Sequence, residues 1–327
     1  MRFVVVGLGS MGRRRIRLLN QISKDYEIIG VDSNPKRCEQ AQKELSIKTI
    51  ENLDEAIEKY NPDGVIISTS PLSHAQIINK VLKNECNVFT ELNLVSDMYD
   101  ENIELAKAKK KVLFLSSTFL YRDEIKYIQE KTKEYSGSIN YNYHVGQYLP
   151  DWHPWESIND YFVGDKKTIG CRELFSIELP WLIKTFGEID SYKVLSSKNT
   201  ELSINYNDNY LLLIKHKNGN KGVLAVDVVS RKAVRNLEIY GENLYLTWDG
   251  TPNGLSYYDY DEKKEVSIDF YDNGIDKQEG YASFVIENAY RNELETFINL
   301  INAKGGALHT FEEDFEVLSI IDNIEMR

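Results

Sequence analysis

Phe3-Val4-Val5-Val6-Gly7-Leu8-Gly9-Ser10-Met11-Gly12 is the stretch that decides the fold. An apolar strand runs straight into glycines spaced G-x-G-x-x-G, and residues 12–23 follow with apolar side chains at helical spacing. Glycines at that spacing also occur in ordinary turns; the strand before and the helix after give them meaning. In such a unit Gly7 permits the tight turn, Gly9 lets a ligand approach the backbone, and Gly12 lets helix and strand pack closely. The N–H groups and partial positive charge of the helix start favour an anion. The turn therefore predicts a cradle of Gly7, Gly9, Ser10, Met11 and Gly12 for the pyrophosphate of NAD or NADP. The next strand ends Ile28-Ile29-Gly30-Val31-Asp32, placing a carboxylate about twenty residues beyond the glycines, where it accepts from ribose hydroxyls and favours NAD. Lys36 and Arg37 could instead neutralise the extra phosphate of NADP, and Asp32 has a second reading as a turn or capping residue before Pro35.

Outward from the turn, strand candidates at 3–7, 26–32, 64–69, 87–90 and 112–116 alternate with amphipathic helices over 12–23, 35–45, 53–60, 73–83 and 98–109. That alternation predicts an α/β fold: a Rossmann-type, doubly wound parallel sheet over residues 1–120. Beyond Tyr121 the pattern changes to long strands and turn-rich segments, with strands at 138–148, 209–217, 223–230, 234–240, 244–248 and 266–271. Helices over 172–186, 283–303 and 311–324 punctuate this half. Residues 121–327 thus read as a C-terminal α+β domain on a large, mainly antiparallel sheet, with a last helix at 311–325 that packs back toward the first domain.

At 327 residues the chain exceeds the usual size of one core. With 42% hydrophobic and 28% charged residues and no long polar tract, it is an ordered globular chain. The net charge of −12 repels polyanions, which argues against nucleic acid and anionic membranes and leaves a small molecule as the expected partner. The basic run Arg13-Arg14-Arg15 reads either as a phosphate-facing cluster or as a solvated first helical turn. Cys38, Cys86 and Cys171 show no C-x-x-C spacing, so neither a disulfide framework nor a zinc site is expected, and the compartment reads as reducing. The first strand begins at once and no apolar run nears the ~18–20 residues that span a bilayer, so the expected location is cytoplasmic.

Val65-Ile66-Ile67-Ser68-Thr69-Ser70-Pro71-Leu72-Ser73-His74 and Val88-Phe89-Thr90-Glu91-Leu92-Asn93, taken with the glycine turn, resemble the Gfo/Idh/MocA family, the glucose-fructose oxidoreductase and inositol dehydrogenase group. Phe119-Leu120-Tyr121-Arg122 resembles that family's aromatic-Arg segment, and residues 312–324 its closing helix. The resemblance implies an NAD(P)-dependent oxidoreductase that moves a hydride between nicotinamide and a hydroxyl carbon of a sugar, sugar nucleotide or polyol. It also implies that Thr69, Ser70, Pro71, His74, Glu91 and Asn93 attend the cofactor, and that the second domain binds substrate and assembles a homo-oligomer, a dimer or tetramer.

Two places depart from the family pattern. Where the fourth strand would end Glu-Lys-Pro, Leu92 and Asn93 follow Glu91. Where a later helix would carry Asp-x-x-x-His, Leu174 and Glu178 stand, or Glu173 and Ile177 with a shift of one residue. A hydride leaves an alcohol carbon only if a group with an accessible pKa takes the hydroxyl proton, and neither Leu92 nor Asn93 can. The departures leave open a cofactor- or sugar-binding sensor without turnover, and a lyase or epimerase that uses tightly bound NAD transiently.

Candidates for the proton are Glu178, an acidic residue between Ile177 and Leu179 on an apolar helix, and Glu173 at that helix's start. His144 and His153 lie in Tyr143–Glu156, a segment dense in aromatic and titratable groups, where Trp152 and Trp155 could stack on sugar faces. Arg122 and Arg172 read as clamps for a substrate carboxylate or phosphate, or as ion pairs. The spacings of His144, His153, Glu173 and Glu178 match no compact ligand motif, so no metal is expected.

Overall fold

A computed structural model describes residues 1–271 and 286–326. The chain divides into two compact units, Met1–Thr118 with Ala289–Ser319, and Phe119–Asn288 with Ile320–Arg327.

In the first unit strands and helices alternate as β1 (Arg2–Val6), α1 (Ser10–Ile22), β2 (Glu27–Val31), α2 (Pro35–Leu45), β3 (Lys48–Ile50), α3 (Leu53–Tyr60), β4 (Gly64–Ile67), α4 (Pro71–Lys83), β5 (Asn87–Thr90), α5 (Tyr99–Lys109) and β6 (Leu113–Leu115). The six strands are parallel in the order β3-β2-β1-β4-β5-β6. Both faces are covered, which is why β4 reads as an unbroken apolar run and is buried at every position. The order reverses between β1 and β4, the switch point outside which ligands of such sheets bind. β3 was not expected from the sequence; its short run is an edge strand with Lys48 exposed, so it carries no buried pattern.

The second unit opens with α6 (Asp123–Glu134) and β7 (Asn140–Gly146), then α7 (Gly170–Phe186), β8 (Ile189–Ser197), β9 (Asn209–His216), β10 (Lys221–Asp227), β11 (Val234–Gly241), β12 (Leu244–Trp248), β13 (Leu255–Asp259) and β14 (Lys264–Ser267). Its eight strands run β14-β13-β12-β11-β7-β10-β9-β8, antiparallel except for β7 with β10. α7 packs on one face: Phe186 stacks on Tyr141, Trp181 meets Tyr143 edge-on and Phe175 meets Tyr210. The other face leaves Leu195, Leu211, Leu213 and Val223 exposed. α6, β8 and β13 are additions to the sequence reading.

α8 (Glu287–Ile301) and α9 (Phe311–Ile324) close the chain. Residues 283–285 of the expected helix 283–303 lie outside the described residues. Phe297 of α8 packs on Phe89 and Phe114, and Phe311 of α9 on Tyr99, all within the first unit. No helix among the described residues is long and apolar enough to cross a membrane.

Candidate functional site

The glycine turn has the geometry its spacing demands. Gly7 takes φ +90, and its N–H donates to Val31 O at 2.8 Å. A Cβ on Gly12 would sit 1.8 Å from Gly7 O, so only hydrogen fits there. A Cβ on Gly9 would meet nothing within 4 Å, and no side chain caps the start of α1, so the turn is open where a diphosphate would lie. These residues fit a bound dinucleotide.

Asp32 is buried at the end of β2. Its Oδ2 accepts from Leu8 N and its Oδ1 from Asn34 N, each at 2.8 Å, with Arg37 Nη1 3.7 Å away. The carboxylate thus ties the glycine turn to β2, and each oxygen keeps a second lone pair for a ribose hydroxyl. Asn34, not Asp32, caps α2.

The basic run is not a solvated turn at Arg14 and Arg15, which are buried. Arg15 grips Glu91 with two bonds of 2.7 and 2.9 Å and Glu293 of α8 with one of 2.9 Å, over the ring of Phe89. Burial alone would lower the Arg15 pKa; Glu91 and Glu293 outweigh it and hold the guanidinium charged. Glu293 is also held by Ser116 and Ser117, and burial pushes its carboxyl pKa up. Glu91, expected beside the cofactor, is therefore one arm of a buried ion cluster, with Ser68 Oγ 3.2 Å away.

Thr69 Oγ1 lies 2.8 Å from Ser73 Oγ, which donates to Ser70 O, so the loop before Pro71 is pinned to the first turn of α4. His74 and Asn93 are buried beneath it and bonded to each other, Nδ1 to Oδ1, at 2.8 Å. Burial lowers the His74 pKa below its ordinary value.

In the second unit the two glutamates of α7 have opposite surroundings. Glu178 is wholly buried and fully engaged: Tyr143 OH and Trp181 Nε1 donate to Oε2 at 2.7 Å, and Arg235 Nε donates to Oε1 at 3.0 Å. Glu173 Oε2 is buried with no hydrogen-bond partner among the described residues. Burial pushes the Glu173 carboxyl up to about 7, against a smaller pull from Arg235. The Tyr161 hydroxyl is likewise buried without a partner; burial raises its pKa, and Glu173 adds to the rise.

His153 stacks on Tyr161 at 4.4 Å and on Trp155 at 5.3 Å, and its Nδ1 contacts Glu156. Trp155 ends this column 75% exposed, whereas Trp152 Nε1 is tied to Gln147 O. His144 lies apart from these groups. Along β7 the side chains of Tyr141, Tyr143 and Val145 are buried in alternation, so His144 points to the other sheet face, paired with Asp227 at 2.6 Å. Arg122 is buried against Glu124 and Gly250 O, and Arg172 against Asp322 and Glu325, so both guanidiniums are already matched by groups of their own unit.

Arg235 and Tyr161 escaped the sequence reading. For Arg235 a signal existed: it falls in phase with the buried Leu237 and Ile239 of β11, which turns it inward. For Tyr161, in an irregular segment, there was none.

Residues 1–117 match the model of the GFO_IDH_MocA group, an oxidoreductase family with an NAD-binding Rossmann fold. No curated protein matches the chain. Among solved structures, UDP-N-acetylglucosamine 3-dehydrogenase from Acidithiobacillus ferrooxidans is 18% identical with a TM-score of 0.77, over 100% of this chain and 97% of that one. The WlbA dehydrogenase from Bordetella pertussis, in complex with NADH and UDP-GlcNAcA, is 13% identical with a TM-score of 0.76, over 99% and 95%. A levoglucosan dehydrogenase in complex with NADH and levoglucosan is 14% identical with a TM-score of 0.79, over 100% and 96%. At these identities the likeness is one of fold.

Proposed function

Through residues 1–117 the chain belongs to the Gfo/Idh/MocA oxidoreductase family, and from that premise we propose an NAD-dependent oxidoreductase acting on a hydroxyl-bearing carbon of a sugar or sugar nucleotide. The observation that carries the reading is the glycine cradle, open at Gly9 and closed to any side chain at Gly12. Gly7, Gly9, Ser10, Met11 and Gly12 would hold the diphosphate, Asp32 a ribose, and the Thr69–Pro71 loop the reacting end. Bound there, NAD would supply the hydride acceptor or donor. The names of the structural relatives, two concerned with UDP-sugars and one with levoglucosan, support the substrate class.

For the proton we assign Glu173. A carboxyl at about 7 exists in both forms near neutral pH, so it can take a hydroxyl proton and return it. Glu178 instead holds Tyr143, Trp181 and Arg235 in place, since all three donate to it. His153 is the second proton candidate, and Trp155 offers an exposed ring face to a sugar. Arg122 and Arg172 hold this unit together, and His144, on the opposite sheet face, is left without a catalytic role. The apolar outer face of the sheet supports a homo-oligomer.

The test is to purify the protein, release bound nucleotide, and follow the reduced-nicotinamide absorbance over a panel of sugars and sugar nucleotides. NAD binding without turnover would favour a sensor, a reading supported by Leu92 where the family has lysine. Product without net NADH would favour a lyase or epimerase, and failure to bind NAD or NADP would sink the proposal.

A further inference from the structure

Tyr161 is held from several sides, yet its hydroxyl is left over. Its carbonyl accepts from Gly164 N at 3.0 Å. The next two residues are tied down as well: Phe162 O accepts from Asp165 N at 3.1 Å and from Thr168 Oγ1 at 2.5 Å, and Val163 O accepts from the Tyr206 hydroxyl at 2.9 Å. The Tyr161 ring stacks on His153 with planes 13° apart and meets Phe162 edge-on at 5.6 Å. At the end of this fixed ring the hydroxyl is buried and has no hydrogen-bond partner among the described residues. A buried phenol ordinarily finds one, so an orphan on an immobilised ring calls for a partner from outside the chain.

Glu173 is in the same condition and on the same unit. Its Oε2 is buried without a partner among the described residues. Thr168, whose side chain holds Phe162 O, stands two residues ahead of α7 and ties the Tyr161 segment to the start of the helix that carries Glu173. The carboxylate is near enough to act on the phenol, but the two groups do not bond each other. From Tyr161 the stack continues through His153 to the exposed ring of Trp155, so one segment presents both a lone hydroxyl and an aromatic face.

We infer that Tyr161 is a substrate-binding residue, and that its hydroxyl and the Glu173 carboxyl receive two neighbouring hydroxyls of one sugar ring, so that the site selects a vicinal diol. This rests on the reading of Glu173 as the group that exchanges the proton. Each sugar hydroxyl carries one hydrogen and two lone pairs. The first gives its hydrogen to Glu173, and the second accepts from the Tyr161 hydroxyl. Burial and Glu173 raise the Tyr161 pKa above its ordinary value, so the phenol stays protonated and binds without exchanging its proton. A ring edge lacking the second hydroxyl would leave the phenol buried and unbonded, and a site with a buried polar group rejects the analogue that cannot pair it.

The experiment compares the full chain with Tyr161→Phe, which keeps the stacked ring and removes one oxygen. Tyrosine is labelled with 13C at Cζ, and the Tyr161 signal is the one missing from the variant. The probes are glucose, levoglucosan and UDP-N-acetylglucosamine, each with and without NAD. At least one should move the Tyr161 signal and bind the variant about three- to tenfold more weakly. Among the monodeoxy forms of that probe, one should bind parent and variant alike, because it lacks the hydroxyl that meets Tyr161. The two proteins should melt within about 2 °C of each other, since no bond inside the chain is lost. A larger drop, or a variant that does not fold, would show the hydroxyl to be bonded within the protein and would overturn the inference. Equal affinities of parent and variant, a Tyr161 signal that no probe moves, or deoxy forms that all keep the same difference would overturn it too. Sugar and NAD binding are read separately, so a protein that binds no NAD sinks the cofactor reading alone. Turnover that survives Glu173→Gln sinks the proton assignment, while the affinity difference still decides whether Tyr161 meets a sugar hydroxyl.

Discussion

Glu173→Gln separates proton transfer from packing, because it is nearly isosteric and removes only the ability to ionise. Burial lifts the folded-state pKa of Glu173 from 4.5 to about 7. At about 1.4 kcal/mol per pH unit, this rise amounts to a penalty of ~3 kcal/mol on the ionised form. Between those two values the folded state binds more protons than the unfolded state, so the parent protein loses stability as pH rises through that window. A glutamine has no such penalty. Urea unfolding at pH 5 should therefore show parent and variant within ~1 kcal/mol. At pH 8 the variant should be more stable by up to ~3 kcal/mol. Turnover should nevertheless fall by roughly 10²–10⁴ with NAD affinity unchanged. Glu178→Gln is the control: it presents an amide to Arg235 and should cost ~3–5 kcal/mol by breaking a buried pair. A Glu173→Gln protein that is less stable at pH 8, or that keeps parental turnover, would refute the assignment.

Three further outcomes follow from the same geometry. Gly12→Ala drives a methyl into Gly7 O and should cost at least ~1–3 kcal/mol of stability, with loss of NAD binding by calorimetry. Arg15→Met leaves Glu91 and Glu293 facing each other without their cation; thermal melts should show a loss of ~3–5 kcal/mol, greater at pH 8 than at pH 5, where protonation relieves the repulsion. Leu213→Lys places a charge on the outer sheet face at a residue that is 60% exposed; sedimentation should show a smaller species with an unchanged circular dichroism spectrum if that face joins copies.

Much of the site was legible where the constraint is local. Strand alternation already separates His144 from Tyr143 along β7, and the same phase turns Arg235 inward on β11, although only the structure drew attention to both. The role of Arg15 was not legible, since its partners come from β5 and α8 and lie 76 and 278 residues away.

The sequence alone determined the glycine turn, the parallel sheet that presents it and the carboxylate at the end of β2, because steric exclusion at Gly12 and side-chain periodicity act within a few residues. What tertiary structure decided was which acid stays free. Glu173 and Glu178 lie on one helix, but Tyr143 and Arg235 arrive from distant strands to donate hydrogen bonds to the second and leave an oxygen of the first buried and unpaired among the described residues. Ionisation depends on burial and partners, and only the folded chain supplies those.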